Sequence, residues 1–287
     1  MVPKVRVVTD STADIPADLA AALHIKVIPA NIQFGKESFL DGVSLSRGEF
    51  YQRLVRGPVL PTTAAPAPGV FAAAYQGLLK QAREEGQVLA GIISIHVASR
   101  LSGLYNAARL GAEELPGLPI RLVDSQQISI GTGWLAILAG RAAQAGQSLE
   151  AIVSMLEDRV PRLRLIAVVD TLEYVRRSGR LGKAQWLVGT LLNVKPIIEV
   201  RYGELLPPLE LVRTRSRATD RLVEIAARLC PFEEMAVMHA HAPELGQALL
   251  ARVTSLHPPE HTLFAEVGVT IGTYAGPGAV GIIGIQA

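Results

Sequence analysis

Cysteine occurs once in the 287 residues, at Cys230, so no internal disulfide can form, and no Cys/His spacing matches a structural zinc site. A reducing compartment suits such a chain. Aromatic residues make up 5%, too few for the stacking platforms that hold single-stranded nucleic acid. Charge of one sign is also missing: 28 Lys and Arg face 26 Asp and Glu, a formal net charge of +2, which gives no general pull toward nucleic acid or an anionic membrane surface. Mean hydropathy is +0.30, yet no uninterrupted apolar run approaches the ~20 residues that span a bilayer. The first ten residues lack the apolar segment and small-residue cleavage site of a signal peptide. The expectation is a soluble cytoplasmic protein with no stable membrane insertion and no nucleic acid partner.

What is present is apolar material: 49% of residues are hydrophobic and 19% charged, enough for two compact domains. In the first half, short β-branched runs alternate with Ala/Leu-rich stretches of helical period, the pattern of a parallel α/β sheet. Strands are predicted at Val5 to Thr9, His24 to Ile28, Val88 to Ile95 and Ile120 to Val123, with helices starting near Pro16, Ser46, Pro68, Ser102 and Gly131. Residues 29–41 read as a small hairpin insertion around Gly35-Lys36. Arg141 to Leu149 is the first plausible junction, and the boundary is placed near 155, giving domains 1–155 and 156–287. Beyond it, strands are predicted at Leu163 to Val169, Val194 to Tyr202, Leu205 to Val212, Met235 to His239, Leu263 to Val269 and Ala279 to Ile285. Helices at Ser216 to Leu229 and Glu244 to Ser255 complete an α+β second domain.

Hydroxyl side chains gather where the early strands end. Thr9-Asp10-Ser11-Thr12 follows the first strand, Ser99-Arg100-Leu101-Ser102-Gly103 the third, and Asp124-Ser125 the fourth. The carboxyl ends of strands form the ligand crevice of open α/β sheets, and unpaired N–H groups there suit an anionic head group. Each residue alone also reads as a helix cap. Pro61-Thr62-Thr63-Ala64-Ala65-Pro66-Ala67-Pro68 is a proline-stiffened loop that presents two hydroxyls, or a plain route into a helix. Gly272-Thr273-Tyr274-Ala275-Gly276-Pro277-Gly278 is expected between two strands, which argues against a phosphate-cradling loop, since that needs a following helix.

Catalytic signals are weak. Ser102 lies in Leu-Ser-Gly rather than Gly-x-Ser-x-Gly, and no histidine is assignable as its base. His239 and His241 share strand spacing but lack a third ligand, so no metal is expected. Asp10 and Asp124 are candidate acid/base groups that strand-end N–H groups would hold ionised. Arg176, Arg177, Arg180 and Lys183 form a basic cluster, either a docking or phosphate-steadying surface or a solvated face; Arg213, Arg215 and Arg217 read as exposed.

Taken together these residues resemble the bacterial DegV family, which includes the fatty acid-binding subunits of fatty acid kinase (FakB). The resemblance runs over essentially the whole chain. Its marks are Val8-Thr9-Asp10-Ser11-Thr12-Ala13-Asp14, Thr63 with Pro66 and Pro68, Ser99-Arg100-Leu101-Ser102-Gly103 and Val123-Asp124-Ser125. Further marks are the run from Asp170 through Arg180, Leu191-Leu192-Asn193-Val194-Lys195-Pro196, and Gly276-Pro277-Gly278. The resemblance implies a two-domain α/β fold, with an N-terminal Rossmann-like parallel sheet and a C-terminal α+β domain, holding one long-chain fatty acid in a tunnel between them. Carried over by motif, the carboxylate falls to Thr63, Ser99 and Tyr274, with Ser11, Thr62, Ser102 and Ser125 nearby and Arg180 and Arg177 facing a partner or phosphate. Ala64-Ala65 stand where the family has Ser-Gln, Ala98 replaces the first of two serines, and Tyr274 replaces a histidine.

The implied function is non-catalytic: a fatty acid such as palmitate, stearate or oleate is bound and its carboxylate presented to a separate ATP-dependent kinase subunit that makes the acyl phosphate, with no cofactor in this chain. A tyrosine, whose unperturbed pKa is about 10, donates a hydrogen bond but does not change charge near neutral pH as a histidine would. Burying about fourteen methylenes offers roughly 11 kcal/mol before ordering costs, so the tail would dominate affinity and the head group orientation. The rival readings are a hydrolase or phosphotransferase using Asp10 or Ser102, and a binder of another amphiphile with Tyr274 marking the altered preference.

Overall fold

The computed structural model describes residues 4–57, 59–181 and 194–287. Its first part runs β1 (Lys4–Asp10), α1 (Ala17–Ala22), β2 (Ile25–Ile28), β3 (Asn31–Phe34), β4 (Glu37–Leu40), α2 (Arg47–Arg56), β5 (Thr62–Ala64), α3 (Pro68–Glu84), β6 (Leu89–His96), α4 (Leu104–Glu113) and β7 (Ile120–Asp124). Four of these strands form an all-parallel sheet in the order β2-β1-β6-β7. Residues Ile92, Ile93, Ser94, Ile95 and His96 of central β6 are all fully buried, as expected of a strand covered on both faces. The predicted hairpin is β3-β4, turning at Gly35 with φ +58°, and β5 adds a third antiparallel strand to β3.

The chain continues with α5 (Ile130–Gln144), α6 (Leu149–Arg159), β8 (Leu163–Val168), α7 (Glu173–Arg177), β9 (Lys195–Arg201), β10 (Glu204–Leu205), β11 (Glu210–Val212), α8 (Arg215–Leu229), β12 (Phe232–His239), α9 (Pro243–Arg252), β13 (Thr262–Glu266), α10 (Val269–Ala275) and β14 (Val280–Gln286). The second sheet has the order β10-β9-β8-β14-β12-β13, with β11 also on β9. Only β12-β13 is parallel within it.

Helix α5 joins the two sheets. It is apolar nearly all round, including Trp134, Leu135 and Ile137, and it packs on β1, β2 and β6 on one side and on β8, β12 and β14 on the other. Small residues make that fit possible: a Cβ at Gly133 would lie 2.4 Å from the Ala13 carbonyl oxygen. One apolar cluster consequently runs from Val7 and Ile93 through α5 to Leu165 and Ile283. Residue 155, the expected boundary, falls inside α6, between the two sheets. No helix among the described residues is long and apolar enough to cross a membrane.

Three expectations are corrected. The predicted strand 205–212 is broken into β10 and β11 because Pro207 and Pro208 cannot donate to a ladder. The predicted strand 263–269 stops at Glu266, and the glycine-containing stretch after it begins as helix α10 rather than lying between two strands. Helix is favoured there because its first N–H groups find two carboxylates, described below. The stretch between α5 and α6 is a tight turn at Gly146, φ +78°, and α6 itself was not foreseen. Leu191-Leu192-Asn193 and Lys183 lie outside the described residues.

Candidate functional site

Strand β5 places Thr63 opposite Ile32 of β3, with Thr62 and Ala64 exposed on either side of it. Thr63 therefore faces inward, toward α10, whose last turn carries Tyr274. The Thr63 and Tyr274 hydroxyls are hydrogen-bonded to each other. On one side of this pair lies an apolar pocket walled by Val97, Leu101 and Ile128 from the first half of the chain and Ile198, Val200 and Leu205 from the second. Thr12, Ser102 and Thr270 add hydroxyls to its wall, and Ile271, Ala275 and Val175 complete it. On the other side lies a second cavity, lined by Leu60, Pro61 and Tyr174 as well as by Thr62, Arg177, Ser178 and Thr273. Thr63, Tyr274 and Arg180 line both cavities and so form the partition between them. The Arg180 guanidinium sits 5.3 Å from the centre of the Tyr274 ring, a cation–π contact that holds a positive charge at the partition.

Helix α10, which carries Tyr274, is fixed at its start by two buried carboxylates. Asp41, following β4, accepts the Thr270 N–H at 3.1 Å and its hydroxyl at 2.5 Å. Asp14, from the loop after β1, accepts the Gly268 N–H at 2.9 Å and the Ser129 hydroxyl. Carboxylates here complement the positive end of the helix. Desolvation nevertheless dominates: burial raises the Asp14 carboxyl from 3.8 to about 7, with the Arg47 charge pulling it back in part, and Asp41 is raised for the same reason. Beside them, burial also pushes the Tyr51 phenol up; its hydroxyl donates to the Val267 carbonyl at 3.2 Å. At the other end of α10, Gly276 has φ +69° and leaves room for the Tyr174 ring. Arg215 donates to the Gly278 carbonyl at 2.8 Å and to Asp170, which also binds Lys195 at 2.5 Å. Arg215, expected to be exposed, is instead half-buried and braces this turn.

Asp10 anchors a hydrogen-bond chain in the first sheet. Its carboxylate accepts from the Thr12 N–H at 3.0 Å and from the Thr12 hydroxyl, and it meets His96 Nδ1 at 2.8 Å. His96 Nε2 bonds the Ser94 hydroxyl at 2.8 Å, which in turn bonds Tyr75 at 2.9 Å. Asp, His and Ser in a row resemble a hydrolytic triad in residue type. All three are 0% exposed, so Ser94 has no path to a substrate, and the chain serves to fix Thr12 at the pocket wall.

The carried-over residues divide accordingly. Thr63, Tyr274, Ser102 and Arg180 meet at the apolar pocket, while Thr62 and Arg177 line the second cavity. Arg177 and Arg176 share the Glu173 carboxylate, whose two arginine bonds lower its pKa to about 2. Ser99 is exposed and off the pocket lining; its N–H donates to Asp124 at 3.2 Å. The offset has a cause: the Leu101 and Ser102 N–H groups both fold back on the Ala98 carbonyl, a turn that carries Ser102 inward and leaves Ser99 outside. Ser125 is wholly buried and bonds Thr132 at 2.8 Å, and Ser11 bonds Asp41 at 3.0 Å while accepting the Ala30 N–H. Both are structural in these contacts. Asp124 accepts the Ser99 and Gln126 N–H groups, as a strand-end carboxylate should. His239 packs on Phe264 and His241 stacks on Tyr51; among the described residues no cluster of three or more His, Cys, Asp or Glu is arranged to hold a metal. Thr12 stood in the hydroxyl-rich rim read as a ligand crevice but was not singled out in it, and Thr270, just past a predicted strand, was not named as a site residue.

A family model described as "Uncharacterised protein, DegV family" matches residues 4–287. A DegV domain-containing protein of Streptomyces coelicolor is 37% identical over 283 residues, 97% of this chain and 97% of its own length. Among solved structures, a DegV family protein of Thermus thermophilus described by its fatty acid binding aligns with a TM-score of 0.89 at 30% identity, over 99% of this chain and 100% of that one. DegV of Bacillus subtilis, described as a fatty acid binding protein, aligns with a TM-score of 0.85 at 31% identity over 98% of each chain. With the family match spanning both sheets and every element that builds the pocket, this chain belongs to the DegV family.

Proposed function

We propose that this protein binds one long-chain fatty acid between an N-terminal domain, residues 1–155, and a C-terminal domain, residues 156–287, with its carboxylate at Thr63 and Tyr274. The observation that carries the reading is the partition: two hydroxyls and a guanidinium stand where an apolar pocket, walled from both halves of the chain, meets a second cavity that carries Thr62, Arg177 and Ser178. A carboxylate accepts hydrogen bonds and seeks positive charge; an alkyl tail seeks a dry wall. The fatty acid binding attributed to the Thermus and Bacillus relatives supports the same reading.

The finer proposal is that the bound acid is presented to an ATP-dependent kinase subunit through the second cavity. Thr62, Arg177 and Arg180 there give hydroxyls and charge suited to an incoming phosphoryl group. ATP is a cytoplasmic substrate, so this partnership belongs to the cytoplasm. A hydrolase or phosphotransferase built on Asp10 has less support, because that carboxylate is fully buried and bonded on both oxygens. Ser102 Oγ, the other candidate nucleophile, accepts the Leu104 N–H at 3.3 Å.

Native mass spectrometry of gently purified protein, with and without added palmitate or oleate, tests the reading. One bound C14 to C18 acid per chain is expected. Empty protein that takes up neither acid would reject it.

A further inference from the structure

Two hydroxyls on the pocket wall differ in kind from the rest. A threonine hydroxyl has one hydrogen and two lone pairs. At Thr12 the hydrogen is donated to Asp10, and at Thr270 it is donated to Asp41 at 2.5 Å. Both acceptors are buried and collect further donors from backbone, hydroxyl or imidazole groups, which directs each threonine hydrogen toward its carboxylate. Thr12 and Thr270 come from neighbouring elements, the turn after β1 and the start of α10; both line the pocket, and with their hydrogens committed their hydroxyl oxygens have only lone pairs left to give a ligand.

The partition residues are the complement. Thr63 and Tyr274 share one bond between two hydroxyls, which leaves a hydrogen to give, and Arg180 carries five N–H donors, one of them given to the Ser178 carbonyl at 2.8 Å. The pocket therefore has a donor side and an acceptor side. Thr270 and Tyr274 are one turn apart on α10, about 6 Å of rise between their backbones, and both line the one pocket. A plain fatty acid satisfies the donor side alone, because its carboxylate has no hydrogen and its first methylenes bring none.

Resting on the fatty acid reading, we propose that this site selects long-chain acids with a hydroxyl on the second or third carbon, whose O–H donates to Thr12 or Thr270 while the carboxylate accepts from Thr63, Tyr274 and Arg180. The hydroxyl then replaces its lost water contacts, whereas a hydroxyl at the far end of the tail would be buried against Val and Ile with no partner.

The test is a displacement titration on the full chain, with palmitate, 2-hydroxypalmitate, 3-hydroxypalmitate and 16-hydroxypalmitate competing against a fluorescent fatty acid. The 2- or 3-hydroxy acid is expected to bind about three- to tenfold tighter than palmitate, the gain of one neutral hydrogen bond, and the 16-hydroxy acid weaker than palmitate. In T12V and T270V, checked for folding by thermal melts, the ratio of hydroxy acid to palmitate affinity falls toward one, and T12S and T270S, which keep the oxygen, restore it. Equal binding of palmitate and both near-hydroxylated acids by the wild type would overturn this proposal and leave fatty acid binding standing, as would a preference that survives the T12V/T270V double variant. Failure of all four acids to displace the probe would overturn the fatty acid reading as well.

Discussion

Replacing Tyr274 by Phe removes one hydroxyl from the partition and keeps the ring over which Arg180 lies. The size of the effect follows from an exchange. In the protein alone that hydroxyl is bonded to Thr63, a neutral pair with a net contribution of about 0.5–1.5 kcal/mol; against a carboxylate the same group makes a charge-assisted bond of about 1.5–3 kcal/mol. The variant loses both, so the change in binding is the difference, about 1–2 kcal/mol, or about five- to thirtyfold weaker affinity. Stability should fall only by the smaller, neutral figure. Isothermal titration with palmitate reads the first quantity and denaturant unfolding the second. A double-mutant cycle with Thr63→Val separates the pair: the two losses should be non-additive, because either substitution leaves the other hydroxyl without its partner. Unchanged palmitate affinity in Tyr274→Phe, or strictly additive losses, would refute the assignment of the carboxylate to this pair.

Other consequences follow from the same geometry. Asp14 has its carboxyl raised from 3.8 to about 7, so between about pH 4 and 7 the folded protein holds a proton that the unfolded chain has released, and stability falls as pH rises through that window, by on the order of 4 kcal/mol in total. Asp14→Asn should flatten that slope in unfolding curves taken at pH 5 and pH 8; the wild-type slope persisting in the variant would assign it elsewhere. Gly276→Ala combines a left-handed backbone, φ +69°, with a Cβ 2.4 Å from the Tyr174 ring. It should cost about 2 kcal/mol or more in denaturant unfolding, and a neutral result would contradict the packing of that turn. Val200→Phe adds volume to the apolar wall and should weaken binding of a C18 acid more than that of a C12 acid; an equal effect on both would place the tail outside the pocket.

Much of the fold was legible because its strands are short β-branched runs that end in polar caps. Val5 to Thr9 and Ile120 to Val123 declare themselves by composition, and Gly35-Lys36 marks its own hairpin. Elements fixed by distant partners were not. The strand character of Thr62–Ala64 comes from pairing with β3, and α10 owes its start to Asp14 and Asp41, more than 200 residues away. The structure brings Thr63, Tyr274 and Arg180, named from the motif in different roles, to one place; the motif could not tell Ser99 from Ser102, since which serine faces inward depends on two N–H groups closing on Ala98. The apolar wall was invisible for a different reason: Ile198 and Val200 have the alternation of any buried strand, and only the facing of two sheets turns them into a lining.

A crystal structure of the protein grown with palmitate would test the central claim most directly. The account predicts carboxylate oxygens within hydrogen-bonding distance of Thr63 Oγ1 and the Tyr274 hydroxyl, with the chain running past Val97, Ile128 and Ile198. A head group bound away from that pair, or a tail lying on the outer surface, would contradict it.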